Sequence, residues 1–237
     1  MSILFGLLHS DGQPIDEERL AALGHATRCY ATAETQVQLS GGIGMGFQPQ
    51  HTHERSQLES GPVISLHGHM IAFDGRLDNY AELSRLLDLR DMDASDSTIV
   101  LESFLHWGKG CFSKLNGDWA LALWSPTDRT LYLARDHAGT RSLYYLNRDS
   151  ECLWSTYLDT FFGTGDSHPL TEDYVARYIG CRPIEDLTPY RNIRSVPPAH
   201  YVVIRNRHVS IEPHWNWMIE TSLRYSSDTD YESHGLG

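Results

Sequence analysis

Residues 131–145 read LYLARDHAGTRSLYY. Apolar residues crowd both ends, while Asp136, Gly139 and Thr140 in the middle are turn-forming types. The stretch therefore ends one strand and begins another. Upstream stands GDWALALW (117–124), joined to it through SPTDR (125–129), and the two apolar runs read as a β-hairpin. Downstream, RSLYYLN (141–147) and ECLWSTYLD (151–159) flank RDS as a second hairpin. AHYVVIRN (199–206) and HVSIEPHW (208–215) form a last one. Farther out, SILFGLLH (2–9) reads as a buried strand stopped by SDG. TQVQLS, GIGMGFQ, GPVISLHG and HMIAFDG, between residues 35 and 75, are short strands separated by glycines.

Helical patterns fall in separate blocks. Asp16 caps a helix in PIDEERLAALGHATRCY, where Glu17 and Glu18 suit the positive end of the helix dipole and Leu20, Leu23 and Ala26 recur at helical spacing. DNYAELSRLLDL is capped by Asp78 or Asn79, SDSTIVLESFLHWG by Ser95 or Asp96 with Gly108 as its stop, and TEDYVARYIG by Thr171. Hairpins dominate and no βαβα alternation occurs, which favours an antiparallel α+β layered fold. Residues 1–217 read as one domain, followed by a polar tail at 218–237.

The 237 residues suffice for a sizeable core without disulfide or metal staples. Nineteen Lys and Arg against 31 Asp and Glu give a formal charge of −12, with Lys109 and Lys114 the sole lysines. No basic run offers to neutralise phosphates, which argues against a nucleic-acid binder. No apolar run approaches the ~20 residues of a membrane span, and ILFGLL lacks the basic flank and cleavage site of a signal peptide. Cys29, Cys111, Cys152 and Cys181 lie far apart with no C-x-x-C pair, the pattern of scattered, mostly buried thiols in a reducing compartment. A cytoplasmic location is expected. The pairs His51/His53 and His67/His69 lack a further ligand at suitable spacing, so they read as loop histidines and no metal site is expected. SGGIGMG (40–46) lacks the aspartate and second serine of a phosphate-cradling loop, and its glycines read as strand and turn punctuation.

FDGRLDNYAELSRLL (73–87), GDWALALW, LYLARDHAGTRSLYY and VPPAHYVVI (196–204) together resemble the N-terminal domain of asparagine synthetases. That is a class II glutamine amidotransferase domain, an N-terminal nucleophile (Ntn) hydrolase. The resemblance runs from Met1 to about Trp217. It implies a four-layer αββα sandwich, two antiparallel sheets between helix layers.

The same resemblance directs attention to six positions. Where the family carries a nucleophilic cysteine after the initiator methionine, this chain has Ser2, whose hydroxyl is far harder to deprotonate than a thiol. Ile3 replaces the glycine that follows. Asp74 stands where a family asparagine donates to the oxyanion, and an ionised carboxylate only accepts; losing one such donor costs roughly 100- to 1000-fold in rate. Gly75, the second oxyanion-hole position, is kept. Arg76 replaces a glutamate that the resemblance pairs with the glutamine α-ammonium, whereas Asp96 matches a second carboxylate for that group.

The resemblance implies an ATP- and Mg-dependent synthetase domain that adenylates a carboxylate. No cofactor is expected in this chain, and that domain would be supplied in cis or in trans. Degenerate nucleophiles of this kind resemble those of β-lactam synthetases and lasso-peptide cyclases, which use peptide or amino-acid amines. A homodimer is also compatible with the sequence. Three functions follow: a scaffold for an amide-forming ligase, an active Ser2-dependent amidohydrolase, or a free-standing small-molecule binding module. A large exposed apolar patch would favour the first.

Overall fold

The computed structural model describes residues 1–89, 94–148, 150–182, 184–217 and 227–229. The tail at 218–237 therefore lies almost wholly outside the described residues.

Residue alternation along β1 (Ile3–His9) generates the layering. Ile3, Phe5 and Leu7 pack on one side with Leu20 and Leu23 of α1 (Glu17–Ala26), while Leu4 and Leu8 point the other way, into a second core. Asp16 caps α1 as expected, its carboxylate accepting from the Glu18 N–H at 3.0 Å, an interaction worth about 1 kcal/mol. β1 pairs with β3 (Ile43–Gln48), which pairs in turn with β2 (Gln36–Ser40).

The second sheet is built on β5 (Met70–Leu77), with β4 (Val63–Ile64) at its edge. Met70 and Ala72 of β5 join Leu4 and Leu8 in the core between the sheets. Ile71 and Phe73, on the opposite face, pack with Ile99 and Phe104 of α3 (Asp96–Trp107); α2 (Tyr80–Leu86) contributes Leu83 to the same core. Ser95 caps α3 through the Thr98 N–H, and Gly108 ends it at φ +58°. Asn79 precedes α2 without a side-chain cap bond.

The hairpins fall where the turns predict. β6 (Gly117–Ser125) pairs with β7 (Thr130–Arg135), and β8 (Tyr144–Arg148) with β9 (Glu151–Ser155). After α4 (Glu172–Ile179) come β10 (Arg194–Ser195), β11 (His200–Arg205) and β12 (His208–Pro213). One sheet has the order β10-β8-β9-β1-β3-β2 and the other β12-β11-β7-β6-β5-β4, with all pairings antiparallel. Three cores, between α1 and the first sheet, between the sheets, and between the second sheet and α2–α3, make four layers.

The decisive stretch proves to be a clamp. Arg135 and Asp136 suit either an ion pair or a turn, and the turn is what forms. The Arg135 guanidinium donates to the carbonyls of Gly139, Arg141 and Val196. Asp136 accepts from the N–H groups of Trp119, Ala138 and Thr140 and from the Thr140 hydroxyl. Burial opposes ionisation of Asp136, but the Thr140 hydroxyl and these N–H donors hold its carboxyl below the ordinary range. The chain is thereby turned from β7 in one sheet to β8 in the other.

Three expectations are revised, the missing Asn79 cap bond being the first. Only Cys111 and Cys152 are buried, while Cys29 and Cys181 are exposed. Thr171 precedes α4 without a cap bond, and α4 buries none of its residues; Leu170, Val175, Tyr178 and Ile179 are exposed on and beside it.

Candidate active site

Period-two alternation brings the site together. Ser2 precedes β1 in phase with Leu4, and Asp74 follows Met70 and Ala72 on β5. Both therefore turn into the space between the sheets, at the same end. The Ser2 N–H donates to Asp74 Oδ1 at 2.7 Å. Ser2 is 8% exposed and Asp74 3%. The Ser2 hydroxyl oxygen accepts from the Gln50 N–H at 3.0 Å. The Met1 ammonium donates to Gln50 Oε1.

Asp74 is the unusual group. Its Oδ2 is buried without a hydrogen-bond partner among the described residues. Burial pushes its carboxyl up to about 6, against the opposing influence of the Arg141 guanidinium and the N-terminus. Around it, Met1, Ser2, Gln50, Glu59, Gly75 and Arg141 line a cavity of about 10 Å³. That is room for about one water molecule, so with Met1 in place an amino acid does not fit.

Ser2, Asp74 and Gly75 thus share one cavity, whereas Arg76 and Asp96 do not line it. Arg76 is half exposed and pairs with Asp78 at 2.8 Å. Asp96 is 1% exposed and is occupied by the Arg55 Nε at 2.8 Å and the Leu77 N–H at 3.0 Å. Arg55 also donates to the Leu77 carbonyl and lies over the Tyr80 ring. The Arg55→Ala variant should lose about 2 kcal/mol, because it strips a charged partner from a buried carboxylate while the Leu77 N–H remains. Chemical denaturation at neutral pH measures this.

Two charged residues of the cavity were missed in the sequence. Glu59 arrives on a short 3-10 turn, Glu54–Leu58, and accepts from the Ser97 N–H at 3.0 Å and from the Ser97 hydroxyl. Burial raises its carboxyl above the ordinary range despite those bonds. No local pattern marks Glu59 in advance. Arg141 sits inside the stretch that decides the fold, where it reads as part of a turn. Among the described residues, no group of three or more His, Cys, Asp or Glu side chains is placed to hold a metal ion, and no helix is long and apolar enough to cross a membrane.

Two antiparallel sheets between helix layers, with the second residue of the chain held at one end of the inter-sheet space, define the Ntn type of sandwich. The family model described as glutamine amidotransferase domain matches residues 13–215, and the chain belongs to that family. Its relatives include the glutamine-hydrolysing asparagine synthetase 3 of Bacillus subtilis, 26% identical over 170 residues. That match covers 67% of this chain and 27% of the relative. Amidase chyE of Penicillium rubens is 28% identical over 141 residues, covering 58% of this chain and 20% of that protein. The chain thus spans about a quarter or less of these relatives. Among solved structures, the glutamine phosphoribosylpyrophosphate amidotransferase from Bacillus subtilis aligns with a TM-score of 0.64 at 13% identity, over 90% of this chain and 49% of that one. This likeness establishes the shared fold.

Proposed function

We propose that this chain is a degenerate glutaminase-like domain serving as a scaffold within an ATP-dependent amide-forming ligase related to asparagine synthetases. The observation that carries the reading is the Asp74 carboxylate, bound to the Ser2 N–H at 2.7 Å. Hydrolysis of an amide by an Ntn site needs donors aimed at a developing oxyanion. An ionised Asp74 offers none and adds negative charge where negative charge develops. Ser2 in place of a thiol compounds the loss. The ligase chemistry, with ATP and Mg, belongs in this reading to a synthetase domain on the same or another chain. The exposed apolar residues on and beside α4 are consistent with a covered face in the assembled protein.

One observation favours a second reading, Ser2-dependent amide hydrolysis. A carboxyl titrating near 6 beside a serine lies in the range of a general base. Ammonia release from glutamine, measured on purified chain whose N-terminus is defined by intact mass, separates the two. The expected result is no release above the Ser2→Ala variant. Release that vanishes in Ser2→Ala would overturn the scaffold reading.

A further inference from the structure

The unpartnered oxygen of Asp74 asks for a donor. Asp74 is 3% exposed, one of its oxygens binds the Ser2 nitrogen at 2.7 Å, and the other has no hydrogen-bond partner among the described residues. An amide nitrogen carries one N–H, whereas an ammonium carries three. The Ser2 nitrogen is also fixed in place, because Ile3 pairs with Gln48 at the start of β1. Met1, the residue bonded to that nitrogen, lines the same cavity.

We propose that Asp74 is the counter-ion of the chain's own processed N-terminus. A methionine aminopeptidase hydrolyses the Met1–Ser2 peptide bond, consuming one water and releasing free methionine. The new Ser2 ammonium then donates to both Asp74 oxygens, and the cavity grows by the volume Met1 vacates. The inference rests on the scaffold reading above and gives it a device. An amine held as an ammonium has no lone pair to take the serine proton, so the group that would serve as base is locked in its acid form.

The titratable and charged groups lining the cavity around the Ser2 nitrogen are Asp74 from β5, Glu59 beside the 3-10 turn, His51 from the segment after β3, and Arg141 from the clamp after β7. Two carboxyls oppose one guanidinium, and among the described residues only Asp74 bonds the nitrogen. Burial and the Arg141 guanidinium disfavour an ammonium here, and an opposite charge at hydrogen-bond distance outweighs them, leaving the titration point of the amine raised by about one pH unit or more.

The experiment is the pH profile of Ser2 amine labelling by an acylating reagent on the full chain after aminopeptidase treatment, read by peptide mass. The folded chain should titrate about one pH unit or more above the same chain in concentrated guanidinium chloride. The Asp74→Asn variant should erase most of that difference. Coincident folded and denatured profiles would overturn the proposal, as would a shift that persists in Asp74→Asn. Met1 still present after treatment would overturn it too. The folded-against-denatured comparison needs no variant, so it decides the matter even if Asp74→Asn fails to fold. Glutamine hydrolysis assayed on the same sample reports separately: ammonia release would sink the scaffold reading, whereas a missing shift without ammonia release would sink only the ion pair.

Discussion

In the chain that retains Met1, the stability of the Asp74→Asn variant relative to wild type should rise by about 3 kcal/mol between about pH 4 and pH 7. The Asp74 carboxyl titrates at 3.8 when unperturbed and at about 6 in the fold, because burial penalises its charge. Below the lower value both states are protonated and the group costs nothing. Between the two, the folded state binds more proton than the unfolded one, so stability falls as pH rises. Above about 6 the full penalty is in force, about 1.4 kcal/mol for each pH unit that separates the folded and unfolded titration points. Asparagine has no charge to lose, and the difference between the two proteins therefore isolates this one group. Guanidinium chloride midpoints measured across the pH range read it directly. A gap that stays constant with pH would show that Asp74 titrates normally and that its burial is relieved by water or by a cation. In the processed chain the gap should shrink, since the Ser2 ammonium would then neutralise the carboxylate.

Gly75→Ala should destabilise the protein by about 3–5 kcal/mol, adding overpacking to backbone strain. A Cβ at this position would lie 2.2 Å from the Asp118 carbonyl oxygen and 2.7 Å from the Trp119 Cα. Gly75 also adopts φ +155°. The neighbouring atoms are backbone of β6, locked in register with β5 from Met70↔Trp124 to Leu77↔Gly117, so they have nowhere to move. The midpoint of thermal or chemical unfolding measures the loss. A cost below about 1 kcal/mol would mean that β5 and β6 separate easily at this point, against the expectation from overpacking. The result bears on how the site is understood. Gly75 is needed for strand contact whether or not its N–H faces an oxyanion, so its presence alone carries no catalytic meaning.

Several features of the site became visible only with the fold. Asp74 and Gly75 were legible beside Ser2 because a resemblance placed them there, and the structure gathers all three in one cavity. Arg76 and Asp96 were suggested by the same resemblance, yet Arg76 turns to Asp78 and Asp96 to Arg55, outside that cavity. Charged side chains take the partners that tertiary packing brings within reach, and Arg55 is 41 residues from Asp96 in the chain. Glu59 is bound 38 residues away by Ser97. Neither pairing leaves a periodic trace that local reading could find.

Local patterns alone carried most of the strands and helices and an antiparallel, layered arrangement of hairpins, whereas the four-layer sandwich came from the resemblance. Turn residues at SPTDR and RDS, the caps Asp16 and Ser95, and period-two apolar runs are local signals, set by backbone conformation and by which face of a strand leaves water. The electrostatic state of the site came from long-range packing. Asp74 follows Phe73 on an ordinary-looking strand, and nothing within that strand says that its carboxylate will meet the Ser2 nitrogen or that its second oxygen will be buried with no hydrogen-bond partner among the described residues. Charge in a protein depends on distance and on exclusion of water in three dimensions, and residues 72 positions apart acquire both only when the two sheets close on each other.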